Sequence, residues 1–460
     1  MASIVVCGGS AVGLSLAMML AGDGHRVTVL ERDAGPPPGD PWDVWARPGV
    51  SQFHQPHNLL PRSRIILDEE LPGTVDRLEA AGCVWVDWLA VMPPLIRDRS
   101  PRPGDDRFRF ITGRRPVVEA VLARAATETD GVDVRRGVAA AGLLATPAGV
   151  PHVTGVRTSD GGEIHADLVV DAMGRRSRLG EWLTAVGGAP PYVESEDCGF
   201  VYHTRYFRGP ELPAYLASPL SEIGTISLLT IPGDNGTWSA TVWAASADTA
   251  LRGLRDPDRF TDVIRACPAH AHWVEGEPIT DIIVTAGVVD RYRRFVVDGR
   301  PVATGVVAVG DAWACTNPSA GRGITIGLLH AQCLRGAIRS DDGDPEALVR
   351  AVDEVTEATV TPYYRAQITA DRARFAQMDA LRRGEEPPPP DAWAAAFAGA
   401  VMRDPDVFRA RMEMAMCLAL PEEVFARPDI AEKVAALGST RLFKVPGPDR
   451  DALLRLVAGA

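Results

Sequence analysis

A glycine-rich segment near the start of the chain has residue types and spacing that suit the binding of a dinucleotide. It reads Gly8-Gly9-Ser10-Ala11-Val12-Gly13 and follows a short run of β-branched residues. In such a loop the first glycine makes a tight turn, the second lets a pyrophosphate approach the backbone, and the third lets a helix pack closely on a strand. Gly8 and Gly13 occupy the first and third positions, and Ser10 occupies the second. A glycine-rich turn in any other α/β protein remains the alternative.

An acidic residue follows this loop at the distance expected for a ribose contact. Glu31 stands 18 residues after Gly13, at the end of a second predicted strand. Its carboxylate is placed to accept a hydrogen bond from a ribose hydroxyl, and it would repel a 2′-phosphate. The segment is therefore predicted to bind FAD or NAD rather than NADP.

Two later segments repeat the order of buried strand, acidic residue and glycine turn. Residues 168–177 contain Asp171 and Gly174, and residues 307–324 contain Gly310-Asp311. An aspartate at the carboxyl end of a sheet can hold ribityl hydroxyls, and a helix beginning near Gly323 can stabilise negative charge on a flavin ring. Either segment alone could be an ordinary loop between strand and helix. The three segments together predict one flavin site.

Hydrophobic periodicity places these segments between the strands and helices of an α/β protein. Strands are predicted at residues 3–7, 27–30, 132–135, 152–157, 168–170 and 302–309, and helices at residues 11–21, 61–73 and 115–127. Antiparallel strands are predicted at residues 200–207, 224–231 and 237–244. After Gly323 the chain is predicted to be mostly helical, with a tetraproline connector at residues 387–390.

The order of these elements predicts a discontinuous, Rossmann-like FAD-binding domain, an antiparallel substrate domain and a helical C-terminal region. The boundaries are set where the predicted secondary structure changes from alternating strands and helices to antiparallel strands, and then to helices. The FAD-binding domain is predicted to comprise residues 1–185, with a possible insertion from the substrate domain near 86–100, and residues 285–340. The substrate domain is predicted at 186–284 and the helical region at 341–460.

Composition excludes several classes of protein. Sixty acidic and 48 basic residues give a net charge of −12, which disfavours a nucleic-acid partner, because phosphate binding needs clustered positive charge. The seven cysteines, Cys198 among them, are scattered and include no C-x-x-C pair, so we expect neither a disulfide framework nor a metal site. No apolar stretch approaches 18 residues, so we expect no membrane span and a cytoplasmic protein.

The three motifs resemble those of single-component FAD-dependent monooxygenases of the para-hydroxybenzoate hydroxylase-like superfamily, over residues 1–340. The second motif, usually Asp-Gly, is here Asp171-Ala172. The segment from Arg47 to His57 is most similar to the epoxidase-like branch. The resemblance implies that the cofactor contacts are made by Gly8, Ser10, Ala11, Val12, Gly13, Glu31, Arg32, Arg47, Arg115, Val138, Asp171, Gly174, Gly310, Asp311, Pro318, Gly321, Gly323 and Ile324.

The resemblance also implies a reaction. NADH or NADPH, directly or through a partner flavin reductase, reduces the FAD, and O₂ adds at C4a. The C4a-hydroperoxyflavin then inserts one oxygen atom into an apolar, electron-rich small molecule, by hydroxylation or epoxidation, in specialised metabolism. Such chemistry needs a dry cavity and groups that hold the substrate, and it needs no protein nucleophile. The altered second motif leaves the electron donor open.

Several residues are candidates for roles beside the flavin. His54, His57 and Arg322 are candidate catalytic residues. The alternatives are a loop-surface or capping role for the two histidines and a plain salt bridge for Arg322. Tyr202, Tyr206 and Trp313 are candidate substrate contacts, with core packing as the alternative.

Three rival functions stay open. A flavin-dependent halogenase would need a lysine near the flavin, and the chain has no lysine before Lys433. A reductase of the geranylgeranyl-reductase type would saturate its substrate and would turn over without O₂. A non-catalytic scaffold would not need the carboxylates at Glu31 and Asp311.

Overall fold

The computed structural model describes residues 1–147, 149–197, 199–438 and 444–459, so Cys198 lies outside the described residues. Within these residues there are strands β1 to β21, which span Ser3–Cys7, Arg26–Glu31, Val84–Asp87, Arg109–Thr112, Val132–Arg136, Ala140–Thr146, His152–Thr158, Glu163–His165, Leu168–Asp171, Tyr192–Asp197, Phe200–Arg208, Leu220–Ile223, Ile226–Pro232, Thr237–Ala245, Glu277–Pro278, Ile283–Ala286, Val289–Arg294, Val296–Val297, Arg300–Pro301, Val306–Ala308 and Ala314–Cys315.

The helices of the same residues are α1 to α15. They span Ala11–Gly22, Pro41–Val44, Pro61–Glu70, Thr74–Ala80, Arg115–Glu128, Leu179–Ala185, Pro257–Arg265, Gly323–Arg339, Pro345–Thr359, Thr361–Arg382, Ala392–Val401, Pro405–Ala415, Pro421–Phe425, Pro428–Leu437 and Arg450–Ala458. None of these helices is long and apolar enough to cross a membrane. The predicted α/β fold with an antiparallel sheet and a helical C-terminal region is confirmed.

A parallel sheet brings the three sequence motifs to one edge. Its strand order is β20-β9-β1-β2-β5, and all four pairings are parallel. Cys7 at the end of β1 pairs with Asp171 at the end of β9, and Ala308 of β20 also pairs with Asp171. Since parallel strands end at a common edge, the loops that follow β1, β9 and β20 are neighbours. Helix α1 packs against both α5 and α8 beside this sheet.

A second, antiparallel sheet lies over the same region. Its order is β12-β13-β14-β11-β15, with β16 also pairing with β11. Tyr202 on β11 pairs with Trp243 on β14, whereas the adjacent His203 pairs with Val242. Because side chains alternate along a strand, these two pairs lie on opposite faces. Val242 belongs to a core that is shared with α7 and α15.

Two predicted elements are shorter than expected. The strand predicted at 302–309 is only β20, because Gly305 has φ +70° and lies tightly against the Val153 carbonyl, which takes the chain out of the extended conformation. The helix predicted at 61–73 ends at Glu70, since Leu71 precedes a proline and is disfavoured in helical geometry.

Candidate functional site

A cavity of about 480 Å³ opens at the edge where the parallel strands end. Its floor comes from the loops of the three sequence motifs, and its other side comes from the antiparallel sheet. Glu31 and Asp311, which are 280 residues apart in the chain, both line this one cavity. The two carboxylates therefore face a shared site, as a single bound cofactor would require.

The glycine-rich loop after β1 packs too closely for larger residues. Gly8 has φ +114°, and a Cβ there would lie 2.4 Å from the Ala172 carbonyl oxygen. A Cβ on Gly13 would lie 2.0 Å from the carbonyl oxygen of Gly8. The first and third glycines of the motif thus fit the loop against the second motif and hold the start of α1 at the cavity. An N-terminus of this kind suits a pyrophosphate, because its free N–H groups carry partial positive charge.

Glu31 is held at the cavity wall by its neighbours. One carboxylate oxygen accepts hydrogen bonds from the Gly9 N–H, at 2.8 Å, and from Arg47, and the other accepts from the Asp33 N–H at 2.9 Å. The side chain is buried. The carboxylate is therefore fixed at the position where the sequence predicted a ribose contact.

A buried charge cluster connects the cavity floor to α5. Glu119 accepts hydrogen bonds from Arg47, from Arg115 (2.7 Å) and from the hydroxyl of Ser10. Burial alone would raise its pKa, but the two guanidinium groups and the Ser10 hydroxyl lower the pKa of Glu119 to about 2. Glu119 is thus ionised, and it fixes the two arginines that the sequence placed at the cofactor.

His57 lies at the cavity and uses both ring nitrogens. Nδ1 donates to the Gln55 carbonyl oxygen at 2.8 Å, and Nε2 accepts from Arg115 at 3.0 Å. Burial and the Arg115 charge lower the pKa of His57 to about 3. The ring is neutral and is held between Gln55 and Arg115. His54, the other candidate, packs edge-on against Trp42 and does not line the cavity.

The aspartates of the two later motifs have different positions. Asp311 lines the cavity, and burial raises its pKa while Arg115 and Arg175 oppose that rise. Asp171 is turned inward: it accepts from the Met173 N–H at 2.9 Å and from the Ser177 hydroxyl. Asp171 stabilises the turn after β9 and does not line the cavity, so it is removed from the proposed cofactor contacts.

Most of the other predicted cofactor contacts do reach the cavity. Its lining includes Gly8, Ser10, Ala11, Val12, Gly13, Arg32, Arg47, Arg115, Gly174, Gly310, Pro318, Gly321, Gly323 and Ile324. Val138 is not part of this lining; its N–H donates to the Glu31 carbonyl oxygen at 3.1 Å. Arg322 is not part of it either, and its guanidinium donates to the Met414 carbonyl oxygen at 3.4 Å.

The antiparallel sheet supplies the other side of the cavity through Tyr202, Leu229, Thr241, Trp243 and Thr285. The Tyr202 hydroxyl donates to the side-chain oxygen of Asn317. The other two predicted substrate contacts lie elsewhere, because Tyr206 packs beneath Trp42 and Trp313 packs among Tyr292, Tyr364 and His330. Neither lines the cavity, which corrects both assignments.

The loop between β21 and α8 is held from behind by buried carboxylates. Asp290 accepts from the Asn317 N–H at 2.5 Å, and Asp371 of α10 accepts from the hydroxyl of Ser319. Burial raises the pKa of Asp290 to about 6. Strand β17 and helix α10 thereby fix a loop that lines the cavity.

Sequence reasoning missed two groups of residues. Glu119 had a signal, since it lies four residues after Arg115 on a predicted helix, where side chains meet. Gln55 and its partner Thr204 had none, because their contact joins a loop to a distant strand.

Comparisons with known proteins agree with this geometry. A family model described as an FAD binding domain matches residues 114–339. Protein Rv3254 of Mycobacterium tuberculosis is 28% identical over 403 residues, which cover 80% of this chain and 79% of that protein.

Solved structures share the fold at low identity. PqsL of Pseudomonas aeruginosa, described as a probable FAD-dependent monooxygenase, has a TM-score of 0.61 and 18% identity, covering 83% of this chain and 98% of PqsL. OxyS anhydrotetracycline hydroxylase from Streptomyces rimosus has a TM-score of 0.59 and 18% identity, covering 91% of this chain and 76% of OxyS. Flavin-dependent halogenases have the same fold as well.

Proposed function

We propose that the chain, which has the fold of the para-hydroxybenzoate hydroxylase-like superfamily and matches an FAD binding domain model over residues 114–339, is an FAD-dependent monooxygenase. The proposed reaction inserts one oxygen atom of O₂ into an apolar, electron-rich small molecule, by hydroxylation or epoxidation. NADH or NADPH is the proposed electron source, directly or through a partner reductase. A place in specialised metabolism rests on analogy with the family alone.

The observation that carries the proposal is the shared cavity of Glu31 and Asp311. The residues present fit FAD. Glu31 and the start of α1 suit the ribose and pyrophosphate of the adenosine half, and Asp311 suits the ribityl chain. The start of α8, at Gly323 and Ile324, also lines the cavity, and its positive end suits an electron-rich ring edge.

In this proposal residues 1–185 and 285–340 form the FAD-binding domain, residues 186–284 form the substrate domain, and residues 341–460 support both. FAD, when bound and reduced, supplies the electrons that activate O₂. The chain's own part is to exclude water and to hold the substrate. Trp243, Tyr202 and Leu229 place apolar surface over the cavity, which serves the first task.

Lysine placement does not favour the halogenase rival. Lys433 pairs with Asp404 and Asp406 in the C-terminal helices, and neither it nor Lys444 is among the described residues of the cavity lining. The reductase rival is separated by experiment, because a monooxygenase stops without O₂ whereas a reductase does not.

The first test is the visible spectrum of the purified protein. Asp311→Ala is expected to strip FAD from a folded protein, because it removes a carboxylate from the cavity. Asp342→Ala, at an exposed position, is the matched control and should keep the flavin. Full flavin occupancy in Asp311→Ala, measured by absorbance and by circular dichroism of the same sample, would contradict the site.

The second test compares turnover with and without O₂. With FAD bound and NADH or NADPH supplied, one atom of ¹⁸O from ¹⁸O₂ is expected in the product, and anaerobic samples should form none. Product formed without O₂ would instead support the reductase.

A further inference from the structure

We propose, resting on the proposed function above, that the substrate is an uncharged planar aromatic molecule whose carbonyl or hydroxyl oxygen accepts a hydrogen bond from the side-chain amide of Gln55. Gln55 is then a specificity-determining residue, and carboxylate-bearing aromatics are excluded.

Charge in the cavity lining is confined to one side. The charged lining residues are Glu31, Arg32, Asp33, Arg47, Arg115, Arg175, Arg176, Arg178 and Asp311, all from the segments assigned to the cofactor. The five residues that the antiparallel sheet contributes are all uncharged. A substrate carboxylate beneath this sheet would lose its hydration without gaining a cation there, which is unfavourable.

Arg115 is the lining cation that contacts His57, and three of its five N–H donors are already in use. Nε donates to Glu119 at 2.7 Å, one terminal nitrogen contacts His57 at 3.0 Å, and the other donates to Ser10 at 3.1 Å. Because the buried Glu119 already compensates its charge, the guanidinium is poorly suited to hold a substrate anion as well.

A chain of hydroxyl groups orients the Gln55 amide. The Thr204 hydroxyl donates to Gln55 Oε1 at 3.1 Å, and it lies 2.9 Å from the Thr241 hydroxyl. A threonine hydroxyl has one proton, so Thr204 accepts from Thr241 when it donates to Gln55. With Oε1 occupied, the Gln55 NH₂ group is the end of this chain that is available to donate at the cavity, which Gln55 lines.

The backbone of Gln55 is fixed as well. Its carbonyl oxygen accepts from His57 Nδ1 at 2.8 Å, and His57 is in turn held by Arg115. The donor is thus attached on one side to the substrate sheet and on the other to the cofactor cluster. Such pre-organisation favours one orientation of a bound acceptor.

The walls beside this donor are aromatic. Tyr202 and Trp243 are paired across β11 and β14 with ring centroids 5.7 Å apart and an angle of 31° between the rings. The Tyr202 hydroxyl donates to Asn317, so its proton is directed away from a substrate. Flat apolar faces beside an oriented donor suit a planar ring system that carries an oxygen acceptor.

Three small probes test the inference on the FAD-loaded protein. Chromone is neutral, planar and has a carbonyl acceptor; chromone-2-carboxylate adds a negative charge; naphthalene lacks the acceptor. Binding is measured as a change in the visible flavin spectrum during titration. Chromone is expected to bind at least about tenfold more tightly than either of the others, the size of one hydrogen bond or one unpaired charge. Chromone-2-carboxylate binding as tightly as chromone would overturn the proposal.

Variants of Gln55 and Thr204 test whether the tighter binding of chromone comes from the Gln55 amide. Gln55→Glu keeps an acceptor for Thr204 but removes the NH₂ donor, and both it and Gln55→Leu should raise the chromone Kd about tenfold while leaving the naphthalene Kd unchanged. Thr204→Val, which releases the amide without removing it, should raise the chromone Kd by a smaller factor. An unchanged chromone Kd in Gln55→Glu would overturn the role of Gln55. Failure of the wild-type chain to bind FAD would instead refute the proposed function, and it is seen before any probe is added.

Discussion

At the scale of single residues, Glu119 is the carboxylate at the centre of the buried ion pairs beside the cavity. It is fully buried and pairs with two arginines at the cavity, Arg47 and Arg115, and it is the carboxylate that compensates Arg115 there. Removing one partner of a buried ion pair costs about 3–5 kcal/mol, because the remaining charge stays desolvated. We therefore expect Glu119→Gln to lower the free energy of unfolding by about 3–5 kcal/mol in urea denaturation.

The control for this prediction lies on the same helix. Glu128 pairs with Arg77 at the surface, with about half of each side chain exposed. Exposed pairs contribute roughly 0–1 kcal/mol, so Glu128→Gln should change the stability by no more than that. Equal effects of the two substitutions would show that the buried cluster is not a special source of stability.

The low pKa of Glu119 adds a pH dependence with a definite sign. Its pKa is about 2 in the folded chain against an ordinary value of 4.5, so the unfolded chain binds the proton first. The stabilising contribution is complete above pH 4.5 and is lost as the pH falls toward 2. Stability of the wild type should therefore fall more steeply than that of Glu119→Gln over this range, and parallel curves would contradict the assignment.

His57 gives a second pH-dependent prediction at a higher pH. Its pKa is about 3 in the folded chain and 6.5 as the ordinary value, so below pH 6.5 protonation favours the unfolded chain. At pH 5 this difference amounts to roughly 2 kcal/mol of lost stability. His57→Gln should remove that loss between pH 7.5 and pH 5, whereas His165→Gln, at an exposed position, should not. Urea denaturation at the two pH values measures both.

At the scale of elements, the contact between α1 and the loop after β1 depends on the size of one residue. A Cβ on Gly13 would lie 2.0 Å from the Gly8 carbonyl oxygen, whereas a Cβ on Gly22, at the other end of α1, meets only Arg335 Nη2 at 3.8 Å. Gly13→Ala is expected to displace the loop and abolish FAD binding. Gly22→Ala should retain FAD and change stability by about 1 kcal/mol or less. Retained flavin in Gly13→Ala would refute the close packing.

The positions of these elements were largely predictable from the sequence. The helix α1 and the strand β1 have local patterns, and glycine and acidic residues mark the ends of β1, β2, β9 and β20. The strand predicted at 302–309 was an exception. The positive φ of Gly305 shortens it, and the sequence pattern does not reveal that conformation. The direction of a side chain was less predictable: Asp171 and Asp311 follow similar strands, yet only Asp311 faces the cavity.

At the scale of the whole molecule, the contacts that sequence could not predict are those between distant segments. Ser319 is fixed by Asp371 of α10, and Gln55 is oriented by Thr204 of the antiparallel sheet. No periodicity encodes these pairs, because each depends on how separate elements pack. The C-terminal helices and the sheet are therefore parts of the site as well as of the fold.

Because one cavity is built from residues as distant as Glu31, Thr285 and Ile324, a ligand bound there should stabilise the assembled chain rather than a single segment. FAD at 100 times its Kd should raise the free energy of unfolding by about 2.7 kcal/mol, if it binds only the folded chain. Thermal unfolding followed by tryptophan fluorescence should shift upward as one transition. Trp243 in the antiparallel sheet and Trp313 beside α8 report on separate regions. Tryptophan fluorescence and far-UV circular dichroism should give the same midpoint with FAD present, and two separate midpoints would show that the cavity does not couple the two regions. Asp311→Ala should show no shift at the same FAD concentration.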